Sequence, residues 1–302
     1  MQDNKVRIGS RGSKLALWQA HFFQSLLDKR GIQNELKIIK TKGDLIQNIG
    51  FDKLEGKGFF TKEIEDALLA NQIDVAIHSM KDLPTTLPQG LVIGGISERA
   101  NPADILIIKK ERIVISNPLK IKEGGTIGTS SIRRKVLLKN FQKDILFKDI
   151  RGNVPTRVQK LVDDDELDAI ILAAAGIERL KIDLSEHKVI ELNPEEFPSA
   201  PAQGVLAYQC REEDLDMRRL LKSINCMETL STVKVERKIL NIMDGGCQLP
   251  LGAYCNKDAI GNYHCFAAFT AHLDGKLSKV KLSQNTASNL AERVVEKLKE
   301  KI

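Results

Sequence analysis

Residues 8–13 read IGSRGS, and residues 127–131 read IGTSS. Each is a strand end with a glycine, followed by a short polar turn and then a helical pattern. Before the first, Val6 and Ile8 begin a strand. After it, Leu15, Trp18, Phe22 and Leu26 recur at helical spacing. They predict a helix over residues 14–30 with Gly31 as its C-cap. A strand over 36–41 and a helix over 61–70 come next. Residues 73–84, IDVAIHSMKDLP, then read as a buried strand over 73–77 emptying into a loop. The second stretch repeats the layout. A strand ends at 126–128, Thr129, Ser130 and Ser131 form the turn, and a helix covers 132–140. A strand at 146–150 follows, then a helix through Val162 with Pro155 in its first turn, then a buried strand at 168–172. The two turns look equivalent. They predict two α/β units with parallel or mixed sheets, in which ligands sit where strands feed helix N-termini.

The final third has a different character. Leu230, Val233, Leu240 and Met243 line one side of a helix over 229–243. Three short strands follow, with turns at Gly261-Asn262 and Asp274-Gly275, and a helix from residue 287 carries Leu290, Val294 and Leu298. This reads as a small α+β domain. Residues 193–203 hold Pro194, Pro198 and Pro201 and are expected to cross between domains.

The chain has 302 residues, enough for two or three domains and for a core that needs no covalent staple. Its 46 basic and 40 acidic residues leave +6. That surplus, with 5% aromatic residues and no recognition motif, argues against a nucleic-acid partner. No run approaches a membrane span, and MQDNKVRIGSRG lacks the apolar core of a signal peptide. The five cysteines are Cys210, Cys226, Cys247, Cys255 and Cys265. Their spacing points to no zinc, so no metal is expected. Four read as reduced structural thiols of a cytoplasmic protein.

Where the positive charges fall matters more than their sum. Arg11 lies in the first turn, Lys57 in the run EGKGFF, and Arg133 and Arg134 just after Thr-Ser-Ser. Arg151 and Arg157 flank RGNVPTR. Any one of them would ordinarily be a surface ion pair. Repeated at strand-to-helix turns, they point to a ligand with several negative charges. Asp82, after the strand in HSMKDLP, has a placement that can serve a general acid/base, although spacing alone favours a cap or turn residue. His78 has no visible partner and reads as structural. Ser130 and Ser131 read as helix caps, since no base accompanies them. Cys247 differs from the other cysteines. In DGGCQLP it follows two glycines beyond a helix C-terminus, where a thiolate gains nothing from the helix dipole. That position suits a one-time covalent anchor at least as well as a turnover nucleophile.

These motifs occur together in one known family. RIGSRGSKLALWQA, TKGD, GKGFFTKE, DVAIHSMKDLP, GTSSIRR, RGNVPTR, DAIILAAAGIERL and GGCQLPLGAY run in the order seen in porphobilinogen deaminases, also called hydroxymethylbilane synthases. The resemblance spans Arg7 to Tyr254. It implies two domains like those of type II periplasmic binding proteins plus a small α+β C-terminal domain. The implied bounds are 1–98 with 198–217, then 103–194, then 220–302. It also implies a transferase that joins four porphobilinogen units head to tail, releases an ammonia from each, and frees hydroxymethylbilane in tetrapyrrole (haem) biosynthesis. Each pyrrole carries an acetate and a propionate, in keeping with the basic turns.

By the same resemblance, Cys247 holds a dipyrromethane cofactor through a thioether, and Asp82 is the acid/base residue and a buried carboxylate beside a developing cation. Arg11, Ser13, Lys81, Thr129, Ser130, Ser131, Arg133, Arg134, Arg151 and Arg157 match positions that hold cofactor or substrate side chains. Gln19 and Gln203 match nearby polar positions, and Lys57 falls in a mobile loop over the active-site cleft. The family pattern favours a monomer. SAPAQG at 199–204 departs from the usual P-A-x-G-Q-G by placing Ala202 where glycine is common. A small-anion sensor domain is the competing class. HSMKD and the Gly-Gly-Cys loop argue against it.

Overall fold

The computed structural model describes residues 5–41, 61–244, 249–272 and 275–301. Lys57 and Cys247 lie outside them. In chain order the first elements are β1 (Val6–Ser10), α1 (Lys14–Asp28), β2 (Asn34–Ile38), α2 (Lys62–Leu69), β3 (Val75–Ser79) and β4 (Leu91–Ile96). Next come β5 (Asp104–Lys109), β6 (Thr126–Gly128), α3 (Ile132–Phe141), β7 (Leu146–Lys148), α4 (Val154–Asp163), β8 (Ala169–Ala173), α5 (Ala174–Leu180) and β9 (His187–Leu192). The last group is β10 (Leu206–Arg211), α6 (Leu215–Ser223), α7 (Met227–Ile242), β11 (Leu251–Lys257), β12 (Tyr263–Phe269), β13 (Ser278–Gln284) and α8 (Leu290–Lys299).

The chain divides into two compact units, residues 1–99 with 205–230 and residues 100–204 with 231–302. The first holds a five-stranded sheet in the order β2-β1-β3-β10-β4, the second a sheet in the order β7-β6-β8-β5-β9. In each, the first three strands of that order are parallel. One antiparallel strand, β10 or β5, then separates the third from the edge strand. The two sheets share one topology, so the turns at 8–13 and 127–131 are structural equivalents, as expected from their sequences. The sheets are mixed. The separating strand comes late in the first unit and early in the second.

Central strands lie between helices and are therefore buried along their length, with mostly apolar side chains. All six residues of β5 and of β10 are buried. In the first unit, Ile8, Val75, Ile77, Leu206 and Tyr208 pack on Phe23 and Leu27 of α1. In the second, Leu106, Ile127 and Ile171 pack on Leu137 and Leu138 of α3, and Ile105, Ile107 and Ile170 pack on Leu161 and Ile177 on the opposite face. Each such side chain contributes roughly 1.5–3 kcal/mol over its exposed state.

The C-terminal part has an antiparallel sheet, β11-β12-β13, beneath α7 and α8. Val235 and Ile239 of α7, and Leu290, Val294 and Leu298 of α8, are buried against it. The turn before β12 uses Gly261 at φ +97°. The fold class therefore agrees with the sequence reading.

Some bounds shift. The strand expected at 36–41 lies at 34–38, and the one expected at 73–77 lies at 75–79. Asp74 explains the second difference. It binds the backbone N–H and guanidinium of Arg7, and Gly9 opposite Ala76 then sets the register. Residues 193–203 belong wholly to the second unit, and the changeover falls after Gly204.

Candidate active site

In the first unit, β1 and β3 are parallel neighbours, so both deliver their C-terminal ends to the same edge of the sheet. After β1, Arg11 and Gly12 lead to Ser13, whose hydroxyl accepts the Ala16 N–H and caps α1. After β3, Met80–Asp82 form a single 3-10 turn. Arg11, Ser13 and Lys81 are half-buried there, and Asp82 is exposed. The expectation of a buried Asp82 is thus corrected. A one-turn helix after a strand end lifts the carboxylate off the sheet. Gln19 is buried in α1 and donates its amide to Ser79 Oγ at 2.9 Å. Its amide nitrogen thus fastens α1 to the end of β3.

His78 lies beneath this edge. Burial pushes its imidazole down to about 4, the charge of Arg11 pushes the same way, and Gln209 opposes them. It is therefore neutral at neutral pH, in line with a structural role.

In the second unit, Ser131 caps α3 by accepting the Arg134 N–H, as its sequence position predicts. Ser130 is no cap. Its hydroxyl donates to the Ile150 carbonyl at 3.0 Å and ties the turn to the end of β7. Thr129 Oγ1 accepts the Ser131 N–H. Asn153 caps α4, and Arg157 Nε donates to the Gly152 carbonyl at 2.8 Å. Arg151 and Arg157 are half-buried at that turn.

Arg133 and Arg134 lie on the helix expected over 132–140, but they are buried where the sequence suggested cations open to a ligand. They sit in the first turn of α3, 6% and 7% exposed. Both reach Asp104, which is fully buried at the start of β5. Asp104 Oδ1 accepts from Arg134 Nη2 at 2.6 Å and Nε at 3.1 Å, and Oδ2 lies 2.8 Å from Arg133 Nη2. Gln203, also buried, donates to the same Oδ1 at 3.1 Å and to the Pro102 and Ala103 carbonyls. Three residues expected to meet a ligand separately thus converge on one carboxylate.

Sequence reasoning missed Asp104. Its signal was an acidic residue opening the apolar run ILII, because a carboxylate leading a buried strand needs a cationic partner. Glu236 was missed too. It is fully buried in α7 and accepts the Ala202 and Cys255 N–H groups at 2.7 Å each.

Of the described cysteines, Cys210, Cys255 and Cys265 are buried and Cys226 is half-buried, all as free thiols. Burial pushes Cys210 up to about 11. The neighbouring Cys255, together with burial, holds Cys265 well above the ordinary thiol range. Such groups stay protonated and are poor nucleophiles. Among the described residues, no helix is long and apolar enough to cross a membrane.

Two sheets of one topology, each ending in capped turns with basic side chains beside them, mark an α/β protein of the kind that binds anions at strand ends. The family comparison is specific. A model described as "Porphobilinogen deaminase, dipyromethane cofactor binding domain" matches residues 6–219, and "Porphobilinogen deaminase, C-terminal domain" matches 230–302. A porphobilinogen deaminase of Desulforamulus reducens is 41% identical over 98% of this chain and 94% of its own. One of Bacillus anthracis is 42% identical over 90% and 87%. Among solved structures, a periplasmic substrate-binding protein from Coxiella burnetii is 13% identical with a TM-score of 0.45, covering 75% of this chain and 94% of its own.

The chain belongs to the porphobilinogen deaminase family. It is a transferase of tetrapyrrole synthesis that acts on porphobilinogen and uses a dipyrromethane cofactor. The residues present fit that group. A dipyrromethane with acetate and propionate arms is polyanionic. In the second unit two buried guanidinium groups share the single carboxylate of Asp104.

Proposed function

We propose that this chain joins four porphobilinogen units head to tail, releases one ammonia from each, and frees linear hydroxymethylbilane. Cys247 holds the cofactor through a thioether. When bound, that group supplies the primer from which the product grows, and it stays with the protein when product leaves.

The observation that carries the reading is the placement of Asp82. It is an exposed carboxylate at the C-terminal end of β3, beside the strand whose turn carries Arg11 and Ser13. There it gives a proton to the departing amine, faces the positive charge that develops on the substrate pyrrole, and accepts pyrrole N–H groups. Arg11, Lys81, Arg151 and Arg157 pair with acetate and propionate arms, with Ser13, Thr129, Ser130 and Ser131 as neighbouring polar contacts. Arg133 and Arg134 supply the charge for the cofactor. Gln19 and Gln203 act from the rear by holding the strand ends, and Lys57 contributes to substrate binding. The chain works as a cytoplasmic monomer in three domains, the last of which carries Cys247. It has no nucleic-acid or membrane partner and no metal.

Intact-mass measurement of the denatured protein tests this. The wild-type chain should carry a covalent adduct, and Cys247→Ser should lack both adduct and turnover. An active wild-type chain of unmodified mass would overturn the assignment.

A further inference from the structure

We propose that Asp104 is a positioning residue for the reaction: its carboxylate aligns Arg133 and Arg134 and sets the charge they present to the carboxylates of the cofactor and substrate. The inference rests on the reading given under Proposed function and deepens it.

The geometry is specific. Asp104 stands opposite Ala173 in the antiparallel pairing of β5 with β8. It therefore sits at the C-terminal end of β8, the edge where the parallel strands of this sheet deliver their turns. Arg134 is held at three points, through Nε and Nη2 to Asp104 and through Nη1 to the Ile171 carbonyl at 3.1 Å. Arg133 reaches Asp104 through Nη2, donates through Nη1 to the Pro198 carbonyl at 3.0 Å, and lies over the Phe197 ring. Gln203 adds a neutral donor to the loaded oxygen.

The charge count explains why one carboxylate serves two arginines. Two guanidinium groups, each under one-tenth exposed, would repel one another and lose their hydration. Asp104 offsets one of the two charges and supplies acceptors that fix both groups. A surplus of one positive charge remains, in a buried and pre-aligned setting. A second acid would cancel the attraction for a ligand carboxylate. No acid at all would leave the two arginines to splay apart. Alignment in advance of binding is what makes such a pair effective, because the ordering cost is already met in the fold.

The test uses the full chain as Asp104→Asn and Asp104→Glu, with three readings on each: thermal melting, the fraction carrying the covalent adduct by intact mass, and KM and kcat of the loaded fraction. Asp104→Asn should lower the loaded fraction by about tenfold, since one partner of a buried, hydrogen-bonded charge pair is removed. Asp104→Glu keeps the charge but moves it by one methylene. It should restore loading, yet raise KM for porphobilinogen by about fivefold or more while kcat stays near wild type. If Asp104→Asn does not fold, Asp104→Glu decides alone, and an unchanged KM overturns the proposal. Normal loading and normal KM in a folded Asp104→Asn chain also overturn it, whatever its melting temperature. A wild-type chain without adduct would instead overturn the Cys247 reading, and this one with it.

Discussion

The backbone N–H of Ala202 donates to the buried carboxylate of Glu236 at 2.7 Å, and this bond holds Ala202 in the left-handed region at φ +65°. Glu236 also takes the Cys255 N–H, so one side chain of α7 joins the 199–204 loop to β11. The family's common glycine at position 202 now has a physical reason, because the position needs positive φ. Ala202→Gly should be close to neutral, within about 1 kcal/mol. Relief of left-handed strain, roughly 1–2 kcal/mol, is offset by the lost buried methyl, roughly 0.8 kcal/mol, and by added unfolded-state entropy. Two positions on, Gly204→Ala should fail. Its φ is +90°, and a Cβ there would lie 2.5 Å from the Ala100 carbonyl oxygen. A loss of about 2 kcal/mol or more is expected. Urea denaturation of both variants measures the contrast.

Asp82→Asn should fold normally, because the side chain is exposed on its turn and surface changes of this kind stay within about 0.5 kcal/mol. It should nevertheless lower kcat by about a hundredfold or more, the ordinary worth of a general acid/base. Rates of ammonia release and of hydroxymethylbilane formation test this together. Near-normal rates would remove Asp82 from the mechanism.

His78 makes stability pH-dependent with a definite sign. Its folded pKa of about 4 lies below the ordinary value of 6.5. Between those values the unfolded chain binds a proton that the folded chain does not. Its contribution is therefore fully present above pH 6.5 and is lost as pH falls toward 4. At about 1.4 kcal/mol per pH unit, that loss is on the order of 3 kcal/mol. Urea midpoints from pH 7 to pH 4 should fall more steeply for wild type than for His78→Gln. Parallel curves would place the titration elsewhere.

The arginines divide into two groups. Arg134→Ala leaves Asp104 buried with one fewer partner and should cost about 3–5 kcal/mol. Arg151→Ala, from a half-buried side chain at a turn, should barely alter the melting temperature but raise KM for porphobilinogen. If both variants changed stability alike, or neither changed KM, the basic turns would be structural ion pairs.

Much of this could be read from local sequence. Ser131 caps its helix as placed, because a cap depends on N–H groups two or three residues away. Leu290, Val294 and Leu298 face the core as their spacing requires. Other features could not be read. Arg134 meets Asp104 across 30 residues, and Gln203 meets it across 99. The sequence carries no periodicity for such a meeting. It arises because β5 runs antiparallel beside β8, which brings Asp104 to the strand ends.

The strand–turn–helix units, the Ser131 cap and the family were legible in the sequence by itself, since these rest on spacing within a turn or on short motifs. Ser130, by contrast, is no cap, and α1 has its C-cap at Lys29, before the expected Gly31. Only the tertiary structure decided that Asp82 is exposed, that Arg133, Arg134 and Gln203 share Asp104, and that Ala202 needs positive φ. The first follows from the single turn after β3, and the other two depend on burial and on an oppositely placed partner, which arise only when distant strands pair and exclude water from the groups between them.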